Sequence, residues 1–215
     1  SASRASLMTG CYANRVGISG ALFPGANVGL AKEEMTIADL LKQKNYATGI
    51  FGKWHLGDAR QFLPFNQGFD EYLGLPYSND MWPVGQDGAP VKKGAFKSQY
   101  PPLPLISNDK PIDTINTLED QATLTGRLAD AAIQFIKKNK HKPFFAYIGH
   151  KAVHPTSVQR DDGSIDLENK REFLAAKRHV DTYAGQVIER APNYGFTAED
   201  IKHKPVLEEM MAHKH

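Results

Sequence analysis

Cysteine is nearly absent: Cys11 is the single one in 215 residues. No internal disulfide can brace the fold, and neither redox compartment is excluded. Long apolar runs are missing as well. No stretch approaches the roughly 18 consecutive apolar residues of a membrane span. Neither charge dominates, since 26 Lys and Arg face 24 Asp and Glu for a formal net of +2. That balance argues against a nucleic-acid binder driven by bulk charge. No signal-peptide pattern opens the chain, although a chain that begins inside a longer protein would not show one. Internal repeats and low-complexity tracts are also lacking. What is present is ordinary for a globular protein, with 41% hydrophobic and 23% charged residues. The length suits one domain with a sizeable core, or a domain and a fragment.

Residues 1–10 read as a loop entering a helix, with Ser1 or Ser3 as its cap. Residues 11–33 are punctuated by Gly and Pro and read as an irregular connection. From Thr36 to Lys44 the pattern predicts a helix. Thr36 is its N-cap, Ile37, Leu40 and Leu41 its apolar face, and Met35 a hydrophobic staple. Tyr46 to Gly52 then reads as a short buried strand, and a helix followed at once by a buried strand is α/β grammar. Residues 57–116 hold much of the Pro and Gly and few periodic stretches, which predicts a long irregular region. Order returns over 113–139. Thr117 and Asp120 stand at capping-box spacing, and Leu124, Leu128, Ala132, Phe135 and Ile136 form a helical stripe. Lys142 to Gly149 is a second buried strand after a helix. Beyond it the sequence predicts a turn at 161–163 and short helices near 170–178 and 198–213.

Both buried strands lead into turns that carry histidine, where ligand sites gather in open α/β sheets. After the first comes Gly52-Lys53-Trp54-His55-Leu56-Gly57. Taken alone, Lys53 is a solvated charge and His55 a satisfied turn histidine. A Lys and a His two apart, flanked by glycines that let backbone approach a ligand, can also point into one cleft. After the second strand come His150 and His154-Pro155, which by themselves read as loop histidines.

Four blocks, in order, resemble the sulfatase family. Ser1-Ala2-Ser3-Arg4 with Thr9-Gly10 is similar to the family's activation motif, in which a Cys or Ser is oxidised to formylglycine. Gly52-Lys53-Trp54-His55-Leu56-Gly57 resembles the second family signature without a gap. Gly68 to Asp80 looks like the arylsulfatase segment that follows it, with Ser78 at the position facing the active site. Pro143-Phe144-Phe145-Ala146-Tyr147 with His154-Pro155 resembles the strand ending in an active-site His before Pro. General similarity to bacterial sulfatases extends to Glu172–His179, whereas His150 has no firm counterpart.

The resemblance implies an alkaline-phosphatase-like α/β/α sandwich with a mixed central sheet, incomplete at both ends. Residues 1–215 would be a partial catalytic domain. It implies hydrolysis of sulfate monoesters by a formylglycine (3-oxoalanine) immediately before Ser1, produced by a formylglycine-generating enzyme. By position, Arg4 would steady the formylglycine, Lys53 would bind sulfate and nucleophile, and His55 would be the base that releases sulfate. Ser78 would hold the nucleophile. His154 would contact sulfate and donate a proton to the leaving alcohol. A single Ca²⁺, which wants oxygen ligands, is implied with all its ligands outside the chain, so no metal ligand is expected here and the isolated segment is expected to be inactive. The substrate would be a sulfated small molecule or carbohydrate, and the location periplasmic or secreted. Neither nucleic acid nor membrane is an expected partner. Two other readings stay open: a sulfated-glycan-binding relative without catalysis, and a phosphonate or phosphodiester hydrolase of the same superfamily. A third, an interaction fragment with no pocket, fits four ordered motifs poorly.

Overall fold

The structure is a computed structural model that describes residues 1–85 and 87–150. Five strands make one mixed sheet: β1 (Ala47–Lys53), β2 (Glu71–Leu75), β3 (Leu103–Ser107), β4 (Lys110–Ile115) and β5 (Phe144–Gly149). Their spatial order is β4-β3-β2-β1-β5. β1 pairs in parallel with β2 on one side and β5 on the other, while β2–β3 and β3–β4 are antiparallel. Parallel neighbours need long crossovers, and the chain reaches β5 through the helix α3 (Leu118–Asn139).

β1 is buried along nearly its whole length, which requires a layer on each face. Successive strand residues point to opposite sides, and Ile50 and Phe51 divide accordingly. Ile50 packs in a core with Ala5 and Met8 of α1 (Ala2–Thr9) and Ala38 of α2 (Ile37–Lys42). Phe51 packs with Ala132 and Phe135 of α3. The Phe51 and Phe135 rings lie 5.5 Å apart, and Phe144 meets Phe135 edge-on at 6.1 Å. The result is three layers, α/β/α. No helix among the described residues is long and apolar enough to cross a membrane.

α3 carries the capping box read from Thr117 and Asp120, and it buries Leu124, Leu128, Ala132 and Phe135. Its start is later than the expected ordered segment, because residues 113–115 belong to β4. α2 is capped by Thr36 and Asp39, but its expected apolar face is not the buried one. Leu40 is 49% and Met35 58% exposed. A two-turn helix held at its N-terminus explains this. The Thr36 hydroxyl donates to the Gln67 carbonyl at 2.9 Å, and only Ala38 faces the core. At α1 Ser1 is the N-cap residue but makes no side-chain cap bond. Its hydroxyl oxygen accepts instead from the Leu22 N–H at 2.9 Å.

The region 57–116 is more regular than the sequence predicts, since it contains β2, β3 and β4. β2 is five residues long and carries Gly74 in its interior, so it shows no period. β3 and β4 form a hairpin whose turn needs Asn108 at φ 55°. The turn and helices expected within 160–215 lie outside the described residues.

Candidate active site

The carboxyl ends of β5, β1 and β2 share a row without side chains, because Gly52 stands in register with Gly149 on one side and Gly74 on the other. Gly52 adopts φ 123°, and a Cβ there would collide with the Gly149 carbonyl. A Cβ on Gly74 would collide in turn with the Gly52 carbonyl. Only glycine allows the three backbones to close up in this way. The next residue of β1, Lys53, is the first with a long polar side chain.

Lys53 is fixed from both ends. Its carbonyl accepts from Arg4 Nη1 at 2.7 Å, and its ammonium donates to the Ser78 hydroxyl at 3.1 Å. The same Arg4 nitrogen donates to the Tyr147 hydroxyl of β5 at 2.8 Å, with the guanidinium carbon 5.9 Å from the centroid of that ring. Among the described residues, two of the five guanidinium N–H groups are thereby used. Ser78 is buried. Its loop is tied to α3 by Asn79, whose side-chain amide donates to Gln121 Oε1 at 3.0 Å while the Gln121 amide donates to the Asn79 carbonyl at 2.7 Å.

His55 follows β1 in a left-handed conformation, φ 65°, which non-glycine residues seldom adopt. Backbone pairing continues past the strand end, with the His55 N–H donating to the Pro76 carbonyl at 3.0 Å. The buried imidazole places Nε2 at 2.9 Å from the Leu22 carbonyl. A carbonyl only accepts, so the neutral ring carries its proton on Nε2 and Nδ1 is the basic atom.

Positive charge is concentrated here. Burial, and then the Arg4 guanidinium, hold the Lys53 ammonium below its ordinary pKa, against a smaller opposing pull from Asp80. Burial, followed by the Lys53 charge, lowers His55 to about 4, so the ring is neutral at physiological pH. Such a set fits an anion. It does not fit a hard divalent cation: among the described residues no three His, Cys, Asp or Glu side chains gather to hold a metal.

Of the residues singled out in the sequence, Arg4, Lys53, His55 and Ser78 are brought together, although they come from α1, β1, the turn after β1 and the loop after β2. His154 lies outside the described residues. Tyr147, Asn79 and Gln121 were not read as site residues. Tyr147 and Asn79 stand inside motif blocks, but nothing in residue type announces a side chain that orients another.

The cluster of Arg4, Lys53 and Ser78 thus stands at the carboxyl ends of the parallel strands of an α/β/α sandwich, where ligand sites gather in folds of the α/β class. The sulfatase family model matches residues 1–192. The chain belongs to the sulfatase family. It is similar to human (Homo sapiens) arylsulfatase A, 41% identical over 213 residues, covering 93% of this chain and 40% of that protein. Arylsulfatase G of Canis lupus familiaris is 31% identical over 212 residues, covering 88% of this chain and 38% of its own length. Among solved structures, the PsFucS1 sulfatase from Pseudoalteromonas sp. superposes with a TM-score of 0.62 at 28% identity, over 71% of this chain and 34% of that one. The sandwich is thus the alkaline-phosphatase-like α/β fold of sulfatases. The chain spans about two fifths of the length of the curated relatives it matches.

Proposed function

We propose that residues 1–215 are part of the catalytic domain of a sulfuric ester hydrolase, and that Arg4, Lys53, His55 and Ser78 receive the sulfate group of a sulfated small molecule or carbohydrate. The observation that carries this reading is the Arg4–Lys53–Ser78 chain of hydrogen bonds beside a neutral, basic His55 at the end of β1. A sulfate monoester is anionic, and cleavage builds further negative charge on the leaving oxygen. Fixed cations already aimed at that charge lower the barrier without reorganising. Lys53 and Arg4 supply them. Ser78 holds the Lys53 ammonium in place. His55, through Nδ1, takes a proton when sulfate is released.

A formylglycine before Ser1 would supply the nucleophilic oxygen. His154 is assigned the proton given to the leaving alcohol, on its motif alone. Calcium would be held by residues other than those described here.

The test uses the full-length, matured protein. Lys53→Ala should lower kcat/KM for an aryl sulfate by about 10²–10³, the loss typical of removing one preorganised charge-stabilising donor. Inorganic sulfate should also inhibit the variant less. Unchanged turnover in Lys53→Ala would refute the assignment. Faster cleavage of phosphate diesters than of sulfate esters would refute the reaction class.

A further inference from the structure

Ser1 occupies the N-cap of α1, where a serine hydroxyl ordinarily accepts an N–H from the helix's own first turn. It makes no such bond. The hydroxyl oxygen accepts from the Leu22 N–H at 2.9 Å instead. The carbonyl of that same Leu22 holds His55 Nε2, also at 2.9 Å. Leu22 is thus strung between the start of α1 and the imidazole just past β1. A serine present only to stabilise the helix would bond to the helix.

The segment around Leu22 has little else to fix it. It belongs to no helix or strand, and its side chain is only partly buried against the core of α1 and β1. Among the described residues, Leu22 supplies the one amide between positions 19 and 24 that donates to another residue. The next anchor lies three residues on, where the Gly25 N–H donates to Asp58 Oδ2 at 2.7 Å. Ser1 is therefore the hold nearest to the carbonyl that His55 uses. The start of α1 serves both groups at the end of β1: Arg4 grips the Lys53 carbonyl directly, and Ser1 grips His55 through Leu22.

We propose that Ser1 is a positioning residue for His55, holding it through Leu22 in the Nε2–H tautomer that leaves Nδ1 free to accept a proton. The inference rests on the reading of His55 as the base given above, and it names the group that makes it one. The hydrogen bond at one imidazole nitrogen decides which nitrogen carries the proton. A carbonyl pinned at Nε2 keeps the proton there. A carbonyl that drifts away lets the proton pass to Nδ1, and a protonated Nδ1 takes no second proton from a neutral ring's lone pair. Ser1 thereby sets the chemistry of a side chain that it does not touch.

Ser1→Ala and Ser1→Thr are compared with the unaltered full-length, matured protein, and thermal midpoints check that each is folded. Formylglycine is counted by mass spectrometry, and turnover of 4-nitrophenyl sulfate is expressed per mole of it. Ser1→Ala should lower kcat about tenfold, less than the roughly 10²–10⁴ lost when a positioned base is removed outright. KM and inhibition by inorganic sulfate should not change, because Arg4 and Lys53 keep their bonds. Ser1→Thr retains the hydroxyl and should restore kcat. A second readout does not depend on turnover. Ring-nitrogen shifts of labelled His55, recorded by NMR at neutral pH, should show Nε2–H alone in the unaltered and Ser1→Thr proteins. Ser1→Ala should show a mixture of tautomers. An unchanged tautomer in Ser1→Ala overturns the proposal, whether or not the thermal midpoint falls. An unchanged kcat beside a mixed tautomer overturns the positioning role. Failure of the unaltered protein to cleave any sulfate ester overturns the hydrolase reading, while the tautomer comparison still decides the link from Ser1 to His55.

Discussion

Lys53 engages two partners with two different groups, its carbonyl with Arg4 and its ammonium with Ser78. The backbone of one cation therefore sets the place of the other, and both remain close in spite of their repulsion. His55 is kept neutral by burial and by that pair. The sign of the resulting pH effect follows directly. An unfolded chain would protonate His55 near 6.5, whereas the folded one resists until about 4. As pH falls from 6.5 towards 4 the unfolded state takes up the proton first, so stability drops by up to about 3 kcal/mol and levels off below. Denaturant titrations across that window should show the slope. They should lose it in His55→Asn, since Asn tolerates the left-handed backbone that His55 adopts. A slope that survives in the variant would assign the effect to another group. Inorganic sulfate, by neutralising the pocket, should move the His55 titration upward when it is followed by NMR.

At the scale of elements, the glycine row at the ends of β5, β1 and β2 positions the site more than any side chain does. Gly74→Ala would drive a methyl into the Gly52 carbonyl and push β2 away from β1. A loss of about 3 kcal/mol or more is expected, in the upper range of single substitutions, and should be read as a lower denaturant midpoint. Thr117→Ala, which removes one half of the capping box of α3, should cost only about 1 kcal/mol. These elements differed in how legible they were. α3 announces itself because its stripe repeats over 22 residues and its cap has a side-chain signature. β1 and β5 are short apolar runs bounded by turn residues, which suffices for strands buried on both faces. β2 to β4 could not be read locally. β4 is mostly exposed and β3 begins just after two prolines, so pairing partners distant in sequence decide their conformation. The buried side of α2 was misread for a related reason. Its polar N-terminus, bonded to Gln67, fixes its position more than its apolar residues do.

At the scale of the molecule, the site exists only where the layers meet. Arg4, Lys53 and Ser78 could each be found by motif, yet the groups that orient them could not, because those contacts cross the fold. The Arg4–Tyr147 hydrogen bond spans 143 positions and joins the helix layer at the start of the chain to the last described strand. Tyr147→Phe tests whether that link matters for function. It keeps the ring beneath the guanidinium and removes only the hydroxyl acceptor. A hydrogen bond to a charged group contributes about 1.5–3 kcal/mol, so the midpoint of unfolding should fall measurably while the fold is retained. Sulfate affinity should fall as well, because Arg4 freed from β5 no longer presents its remaining N–H groups in one orientation. Arg4→Lys should not substitute for this arrangement, since one compact ammonium cannot reproduce the planar fork. Calorimetry with inorganic sulfate distinguishes the two roles of the hydroxyl. Weaker binding in Tyr147→Phe marks it as a positioning group for the anion site, and unaltered binding with lowered stability reduces it to a structural tie between α1 and β5.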